Sequence, residues 1–389
     1  MITCTAPALA AIPAAERQVL IDLYNGTAGD GWRDRTGWKT AGTFSAPGTE
    51  CAWEGVTCDA GGNHVTELSL SDNDLVGTLP PTLNRLTALT HFDAGLNALT
   101  GTIPELEGLA ALDYFLVDSN ALSGPIPSLA TLRALQTFSV RDNQLTGPLP
   151  ALTGLTELRV FIAYRNQLSG PIPSLGGLTK LEVFGVADNQ LSGPLPSFSG
   201  LTALRRVDAS NNQLSGTIPN LDGLPALLFF LVDHNQLSGT PPPTPASLLD
   251  TGSMLCPNLL HAPSPSDTLW NNATAGATWF ADCTRGYLVT ASATAGGSIS
   301  PSQGVADGGT ATFAITPQAG QEVDSVISAC GGTRTGNSFT TDPVRADCSL
   351  TVSFRAAAVP VPTLGQWALM VLGLLLAGLG ARRVRQRGA

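Results

Sequence analysis

Apolar residues in the central part of the chain return at a fixed long period. From residue 64 to residue 249 an asparagine recurs after a first step of 24 residues and then at every 23rd residue. A leucine lies two positions after each asparagine, a glycine four after and a proline seven after. Five positions before it lies an apolar residue, which is phenylalanine in six of eight cases, and eight before it lies leucine or valine. The asparagines are Asn73, Asn97, Asn120, Asn143, Asn166, Asn189, Asn212 and Asn235. Columns that stay in phase for so long predict a stack of equal structural units.

A single unit of this stack would not fold alone. Burying one of its apolar side chains contributes ~1.5–3 kcal/mol, whereas ordering its backbone costs ~1–2 kcal/mol per residue. Stacking adds the pairing of each strand with its neighbours and the packing of each leucine and phenylalanine on its equivalent. With strands ~4.8 Å apart, the pattern predicts an eight-stranded sheet about 35–40 Å long.

The segments NQLSGPIP at 166–173 and NQLSGTIP at 212–219 extend the pattern L-x-x-L-x-L-x-x-N beyond its asparagine. That pattern, at this period, is the leucine-rich repeat, and its continuation resembles the plant-specific subtype. The resemblance implies a mainly β, right-handed solenoid of about eight repeats over residues 64–249. Most repeats lack one residue between the proline and the next leucine, which predicts a tight convex side largely without α-helix.

Both open ends of such a stack need a cap. PAAERQVLIDLYNG at 13–26 predicts a short helix that ends at its glycine. CAWEGVTC at 51–58 resembles the N-terminal cap of plant-type leucine-rich repeat proteins, so we predict that cap over residues 16–63. Residues 250–285, which contain Trp270 and Trp279, form the predicted C-terminal cap.

Six of the seven cysteines form local pairs, which we interpret as disulfides of an exported protein. The predicted pairs are Cys51 with Cys58, Cys256 with Cys283, and Cys330 with Cys348, and Cys4 is left over. Reduced cysteines in the core are the alternative. No C-x-x-C pair occurs and no histidine has ligand spacing to a cysteine, so we predict neither a metal site nor a cofactor.

Residues 286–355 lose the long period and predict a small β module. TATFAITP, EVDSVIS and CSLTVSF alternate or run apolar with β-branched residues, between glycine-rich turns. GGSISPS, GGTATFAITPQAG, VISACGG and DCSLTVSF resemble the divergent B-repeat of bacterial internalin-like surface proteins. An unrelated immunoglobulin-like spacer is the alternative.

The C-terminal segment has no charged residue from Ala356 to Ala381. After a linker at 356–363, residues 364–381 predict a transmembrane helix of about 27 Å, close to a bilayer core of ~30 Å. The basic tail at 382–389 is expected to stay in the cytoplasm. VPTLGQW resembles the bacterial I-P-T-L-x-x-W-G sorting signal, which is handled by an exosortase-type enzyme. The residues that carry the signal are Pro362, Thr363, Leu364, Trp367, Arg382 and Arg383.

The sorting resemblance implies export to the cell envelope or surface of a Gram-negative bacterium, with the repeats outside. The C-terminal helix would anchor the chain before processing, and a permanent single-span anchor is the alternative. Residues 1–15 contain no basic residue and no long apolar run. We interpret them as an N-terminal segment that could be the remnant of a leader, and expect the true start to lie upstream.

Charge and motif content exclude several classes of function. Charged residues are only 13% of the chain and the net charge is −10, which disfavours nucleic acid as a partner. The sequence contains no H-E-x-x-H, G-x-S-x-G, P-loop or dinucleotide-binding motif. Ser69, His91 and Asp93 could be imagined as a catalytic triad, but an open sheet offers no closed pocket or oxyanion hole. We therefore predict that the protein is not an enzyme.

The strand positions between the buried ones lie six, four, two and one before each asparagine, and they point to the concave face. They carry aromatic and aliphatic residues bordered by charges, which is typical of protein interfaces. The candidate ligand-binding residues are Tyr114, Leu116, Asp118, Arg141, Ile162, Tyr164, Arg165, Arg206, Asp208, Phe229, Leu231 and Asp233.

Together these features predict a non-catalytic cell-surface or secreted binding protein that recognises a protein, peptide or glycan on its concave face. Its other partners would be the exosortase-type enzyme and, through the C-terminal helix, the membrane. One alternative is a structural component of the surface or of a biofilm matrix. The other is an inhibitor of secreted hydrolases, by resemblance to plant inhibitors with this repeat subtype.

Overall fold

A computed structural model describes residues 11–248, 252–260, 267–274, 279–280 and 286–357. The repeats form a solenoid, and each coil is numbered here by its asparagine, from coil 1 with Asn73 to coil 8 with Asn235. One continuous hydrophobic cluster runs through the solenoid and both of its ends, and the β module has a second cluster of its own. The mainly β solenoid and the small β module are therefore confirmed.

The first sheet of the solenoid, called here the concave sheet, has nine strands. Eight come from the coils and run parallel in register, and the first is an antiparallel strand from the N-terminal cap. Its strands are Val56–Cys58, Val65–Ser69, His91–Asp93, Tyr114–Leu116, Thr137–Ser139, Val160–Ile162, Val183–Gly185, Arg206–Asp208 and Phe229–Leu231.

The middle residue of each coil strand points inward and stacks on its equivalent. Successive rings of Phe92, Phe115, Phe138, Phe161 and Phe184 lie 5.4–5.8 Å apart between centroids, nearly parallel. Their spacing follows the strand spacing, because each ring is carried by the next strand of one ladder. The buried phenylalanine column is thus the spine that the sequence predicted.

Coil 7 breaks this column, because Val207 takes the place of a phenylalanine. Phe198 stands nine residues after Asn189, where coils 2 to 5 and coil 7 have a leucine. It is buried and meets the ring of Phe230 edge-on at 6.1 Å. A larger side chain from the opposite side of the coil therefore fills the volume that the valine leaves.

The repeated asparagines tie each coil to the one before it. The amide nitrogen of Asn143 donates to the carbonyl oxygens of Val117, Val140 and Arg141 at 3.0–3.2 Å. Its side-chain oxygen accepts the backbone N–H of Leu122 at 2.9 Å. The same bonds recur along the stack, so the asparagine column satisfies backbone groups of the turn that no sheet reaches.

The residue before each asparagine has a left-handed backbone, with φ of 50–54°. Only glycine adopts this conformation without steric cost, and asparagine and aspartate tolerate it better than most residues. Leu96 and Arg165 adopt it here, which shows that the asparagine ladder dictates the turn more strongly than the local residue does.

A second sheet, called here the lateral sheet, runs along the side of the solenoid and was not foreseen from the sequence. It is built by the residues that follow each asparagine, again in parallel register. Its seven strands are Ser123–Gly124, Gln144–Gly147, Gln167–Pro171, Gln190–Pro194, Gln213–Thr217, Gln236–Gly239 and Leu259–Leu260. Coils 1 and 2 pair separately through Val76–Thr78 and Ala98–Thr100. The rest of each coil consists of turns, with one 3₁₀ segment at Leu83–Arg85. This agrees with the tight convex side predicted from the residue that most repeats lack between the proline and the next leucine.

The N-terminal cap closes the first coil with a helix, Ala14–Gly26, and a cluster of aromatic rings. Tyr24 packs on Trp32 and Trp38 at 5.0 and 5.5 Å, and Trp38 packs on Trp53 at 4.8 Å. Short elements complete it: 3₁₀ segments Gly29–Gly31 and Glu50–Ala52, and the strand pair Lys39–Thr40 with Thr43–Phe44. The Cys51–Cys58 disulfide is formed, as predicted.

One buried carboxylate, Glu16, joins the cap to the solenoid, and a second, Glu50, forms an ion pair within the cap. Glu16 accepts the backbone N–H of Val65 at 2.8 Å and contacts Nδ1 of His64 at 2.6 Å. Glu50 pairs with Arg17. Asn73, the first of the ladder, bonds the backbone of the cap instead of a preceding coil. The cap therefore reproduces the contacts that a coil before the first would make.

The C-terminal end adds a ninth coil that the sequence analysis assigned to a cap. Asn258 lies 23 residues after the last predicted asparagine, donates to the carbonyl oxygen of Val232 at 2.8 Å and accepts the N–H of Leu237 at 2.8 Å. Met254 forms a parallel bridge with Leu231, which continues the concave sheet by one residue pair. A short helix, Asp267–Ala273, places Trp270 against Phe230 at 6.2 Å.

Of the five remaining cysteines, three lie among the described residues and two lie outside them. Cys330 and Cys348 form a disulfide, as predicted, and Cys256 is also disulfide-bonded. Cys283, the predicted partner of Cys256, and Cys4 lie outside the described residues, so that pairing stays a prediction.

The β module contains two four-stranded sheets that enclose Phe313, Leu350 and Val352. The first sheet comprises Gly286–Ala293, Gln303–Ala306, Gln321–Ser328 and Cys348–Ala356, and the second Gly297–Ile299, Thr312–Pro317, Thr333–Thr335 and Ser338–Thr340. The module packs on the lateral sheet of coil 8. A Cβ added at Gly304 would lie 2.9 Å from Cβ of Ser238, so a glycine is needed for this approach.

The predicted transmembrane helix at 364–381, the basic tail and every residue of the predicted sorting signal lie outside the described residues, as does most of the linker at 356–363. In the described ranges, no helix combines the length and the apolar character needed to cross a bilayer. Most of the N-terminal segment at 1–15 also falls outside the described part.

Candidate ligand-binding face

The exposed side chains of the concave sheet form columns, because the strands are parallel and in register. On either side of the buried column, each coil contributes one outward residue. The first column comprises Glu67, His91, Tyr114, Thr137, Val160, Val183, Arg206 and Phe229. The second comprises Ser69, Asp93, Leu116, Ser139, Ile162, Gly185, Asp208 and Leu231. Unlike the buried column, these columns do not repeat one residue type.

Tyr114 and Leu116 lie on coil 3, as predicted. Tyr114 is 36% exposed and its ring lies 5.3 Å from that of His91. Asp118, which follows them, is held by its neighbours: the hydroxyl of Ser139 donates to it at 2.6 Å and the backbone N–H of Arg141 at 3.0 Å. Burial raises the pKa of Asp118, and the bonds from Ser139 and Arg141 oppose that rise.

Arg141 links coil 4 to coil 5. Its guanidinium donates to the hydroxyl of Tyr164 at 2.8 Å and lies 5.8 Å from the centroid of that ring. The same guanidinium lies 3.3 Å from the carboxylate of Asp118. These contacts fix one face of the Tyr164 ring and leave the side toward coil 6 uncovered.

Coil 6 creates a hollow of about 420 Å³ in the concave sheet. Its outward positions are Val183, Gly185 and Ala187, so the floor is largely backbone. Ile162 and Tyr164 border the hollow on the coil 5 side. The complete lining is Ile162, Tyr164, Arg165, Val183, Gly185, Ala187, Asp188, Arg206, Asp208 and Ser210. Five of the predicted candidates thus line the hollow together: Ile162, Tyr164, Arg165, Arg206 and Asp208.

The charged groups around the hollow are paired with one another. Arg206 donates to Asp208 at 2.8 Å, and that carboxylate also accepts the hydroxyl of Ser210 at 2.9 Å. Arg165 lies between Asp142 at 3.3 Å and Asp188 at 3.8 Å. Each guanidinium around the hollow therefore already has a carboxylate partner, and the carboxylates exceed the guanidiniums by one.

An apolar patch follows on coils 8 and 9, made of Phe229, Leu231 and Met254. The guanidinium of Arg206 lies 5.6 Å from the centroid of the Phe229 ring, which connects the patch to the hollow. Met254 is 54% exposed and was missed from the sequence. It lies four positions before Asn258, so extending the 23-residue count by one coil would have found it.

Asp233 differs from what the sequence suggested. It is buried, with 7% of its surface exposed, and bonds Nδ1 of His234 at 2.8 Å. Its backbone carbonyl accepts the N–H of Asn211 at 3.0 Å and the side-chain amide of Asn235 at 3.1 Å. Asp233 therefore belongs to the turn structure and offers little surface to a ligand.

Acidic and histidine side chains of the concave face are engaged in structural contacts. Within the described ranges, no three or more His, Cys, Asp or Glu side chains are placed to hold a metal ion. Asp93 accepts the backbone N–H of Gly95 at 3.0 Å, and His91 packs on Tyr114. Two of the three residues of the imagined triad, His91 and Asp93, are thus engaged in contacts within and between coils.

Comparison with family models recovers each of the three resemblances. Residues 64–86 and 203–223 match the Leucine Rich Repeat model. Residues 287–358 match the model of the Divergent InlB B-repeat domain, and residues 359–387 match the IPTL-CTERM motif. The chain therefore carries leucine-rich repeats, a divergent B-repeat module and a C-terminal sorting motif, and the family resemblances inferred from the sequence are confirmed.

Similar proteins come from plants. The Receptor protein kinase WSS1 of Oryza sativa subsp. japonica is 54% identical over 57 residues, which are 14% of this chain and 6% of that protein. The Receptor-like kinase TMK2 of Arabidopsis thaliana is 40% identical over 74 residues, 18% of this chain and 8% of that one. The chain thus spans less than a tenth of the length of these two relatives.

Among solved structures, the crystal structure of PEPR1–AtPEP1 matches with a TM-score of 0.57. The match covers 72% of this chain and 39% of that chain at 24% sequence identity. At this identity the likeness shows a shared solenoid fold.

Proposed function

We propose that this leucine-rich repeat chain is a non-catalytic binding protein that recognises its ligand on the concave sheet. The observation that carries the proposal is the hollow at coil 6, where five outward side chains chosen from the sequence line one depression of about 420 Å³. Depressions of this size, lined by aromatic and aliphatic groups with a few placed polar groups, are what ligand sites offer. The apolar patch on coils 8 and 9 extends the surface.

The arrangement favours binding over catalysis. Arg206, Asp208 and Ser210 bond one another, and Arg141 is committed to Tyr164 and Asp118. A catalytic acid, base or nucleophile must instead reach a reacting atom within hydrogen-bond distance. A face whose polar groups are paired and whose apolar groups are partly exposed is suited to recognition.

We also propose that the chain is exported and held in the cell envelope of a Gram-negative bacterium by its C-terminal segment. The IPTL-CTERM match at 359–387, the uncharged stretch at 364–381 and the arginines that follow support this location. The Cys51–Cys58 and Cys330–Cys348 disulfides fit an oxidising compartment. An exosortase-type enzyme would remove the helix, and a permanent anchor is the alternative.

The location is tested through the sorting residues. We expect the wild-type chain, expressed in a host with an exosortase, to lose its C-terminal segment in the mass spectrum of the surface fraction. Replacing Pro362 and Thr363 by alanine should leave that segment attached. An unshortened wild-type chain in the same fraction would instead support the permanent anchor.

The binding proposal is tested by capture. We expect the immobilised full chain to retain a ligand from extracts of neighbouring or host cells, and Tyr164→Ala or Phe229→Ala to weaken that ligand at least about tenfold. Gln167→Ala and Gln213→Ala, on the lateral sheet, are the matched controls and should leave the affinity unchanged.

The outcomes separate the candidate functions. Equal loss from the lateral controls, or none from the concave variants, would place binding elsewhere. Failure to retain any ligand, together with loss of surface integrity on gene deletion, would support a structural role. Capture of a secreted hydrolase whose activity falls on binding would support an inhibitor.

A further inference from the structure

Gly185 is the cause of the hollow. Its position is aligned with Ile162 on one side and Asp208 on the other, and every other coil has a side chain there. Its φ is outside the left-handed range, so the backbone does not require glycine. A Cβ would lie 3.4 Å from Cδ1 of Tyr164 and 3.9 Å from Cγ1 of Ile162. The missing side chain therefore leaves space beside an aromatic ring and an aliphatic group.

The charges around this space indicate what can enter it. Each nearby guanidinium already faces a carboxylate: Arg206 faces Asp208, and Arg165 lies between Asp142 and Asp188. An anionic ligand group would have to displace a carboxylate from one of these guanidiniums and leave that carboxylate unsatisfied, which is costly in a partly enclosed site. A cationic group would have to compete with Arg165 for Asp142 and Asp188. An uncharged, bulky group can instead pack on Tyr164 and Ile162 without disturbing them.

The apolar patch lies at a defined distance from the hollow. Leu231 stands in the same column as Gly185, two strands further along. At ~4.8 Å per strand the two positions are separated by about 10 Å. A peptide in the polyproline II conformation repeats its side-chain direction every three residues over ~9.3 Å. A peptide running along the solenoid axis therefore places side chains i and i+3 over both positions.

Resting on the proposed binding role of the concave sheet, we propose that the ligand is an extended peptide with two bulky uncharged side chains three residues apart. The first enters the hollow opened by Gly185, and the second packs on Phe229, Leu231 and Met254. Gly185 is the residue that sets specificity, because its lack of a side chain decides whether the first anchor fits.

The experiment uses the full chain and a phage-displayed library of random peptides of about 12 residues. We expect the selected peptides to share two bulky uncharged residues at i and i+3. Gly185→Leu, which fills the hollow, should weaken a selected peptide about 30-fold or more. Ser69→Leu is the matched control, because it adds the same side chain in the same column on coil 1, and it should change the affinity less than about twofold.

A graded variant guards against misfolding. Gly185→Ala adds only a Cβ at an ordinary contact distance from Tyr164, and we expect an affinity between those of wild type and Gly185→Leu, with an unchanged melting temperature. If both variants bind the peptide as wild type does, the hollow is not the anchor site.

The possible failures are distinguishable. Peptides that bind through Tyr114 but ignore Gly185 would overturn this inference and keep the concave sheet as the binding face. Peptides sensitive only to lateral-sheet variants would overturn the proposed function as well. A library that yields no i and i+3 pattern, or no binder at all, overturns the peptide inference, and the capture experiment above then decides the binding role separately.

Discussion

Coils 3 to 8 of the solenoid each give one strand to the concave sheet and one to the lateral sheet, and the two sheets differ in how much their sequences vary. The lateral strands Gln167–Pro171 and Gln190–Pro194 have the same sequence, QLSGP. The concave strands of the same two coils and the next one read VFI, VFG and RVD. Sequence repetition therefore marks positions that make the same contact in every coil, and variation marks the positions that no neighbouring coil constrains.

The largest effect expected from this comparison lies within one concave strand. Phe161→Ala removes a fully buried ring from the phenylalanine column and should lower the free energy of unfolding by about 3–5 kcal/mol. Val160→Ala, at the neighbouring outward position, should change it by less than about 1 kcal/mol. Urea unfolding followed by circular dichroism measures both. Similar losses from the two variants would contradict the division of the strand into constrained and free positions.

The asparagine ladder should rank next. Asn143→Ala leaves the N–H of Leu122 without its partner and removes one of the two amide donors to the carbonyl of Val117, which keeps the bond from Asn120. We expect a loss of about 2–4 kcal/mol in the free energy of unfolding, because an unsatisfied buried group costs about 1–3 kcal/mol and each further lost hydrogen bond about 0.5–1.5 kcal/mol. Gln144→Ala, exposed on the lateral sheet, is the control and should stay within about 0.5 kcal/mol of wild type. Comparable stability of both variants would show that the ladder is dispensable.

A smaller effect is expected where the lateral sheet meets the β module. Gly304→Val places a Cβ against Ser238 and the carbonyl oxygen of Gln236, so the two surfaces must separate or shift, at a cost of about 1–3 kcal/mol. Thr333→Val, on an exposed strand of the same module, should leave stability unchanged. Calorimetry of the full chain should show a lowered or newly split transition only for the glycine variant. Identical thermograms would mean that the contact adds no stability.

The smallest expected effect depends on pH and lies in the cap. The bond to Glu16 raises the pKa of His64 above its usual value of 6.5. A raised pKa in the folded state means that the pair with Glu16 stabilises the fold while His64 is protonated. This stabilisation is fully present below about pH 6.5 and is lost as the pH rises through the raised pKa. His64→Gln should therefore lower the urea midpoint more at about pH 5.5 than at about pH 8.5. The reverse order, or none, would contradict the sign.

The sequence predicted the constrained half of the structure well, because contacts that repeat leave a repeating residue. The asparagine, leucine and phenylalanine columns gave the coils, the inward face and the parallel register. The lateral sheet escaped notice because its outward residues are Gln, Ser and Pro, which carry no strand signal. The ninth coil escaped notice because Asp250, Ser253 and Ala262 stand where the other coils have Leu or Val, an apolar residue and Gly.

The candidate site was predicted less completely, for a physical reason. Tyr164, Arg206 and Phe229 are conspicuous in sequence, and they do border the hollow or the patch. The hollow itself arises from Gly185 and Ala187, whose small size means something only once the register sets them between larger neighbours. Asp233 looked equally available from the sequence, but its side chain is buried and bonds His234.

The most direct test of the central claim is amide hydrogen exchange of the full chain with and without a peptide selected from the display library. The account predicts slower exchange in the concave strands Val160–Ile162, Val183–Gly185 and Arg206–Asp208, with the lateral strands of the same coils unchanged. Slower exchange confined to Gln167–Pro171, Gln190–Pro194 and Gln213–Thr217 would contradict it.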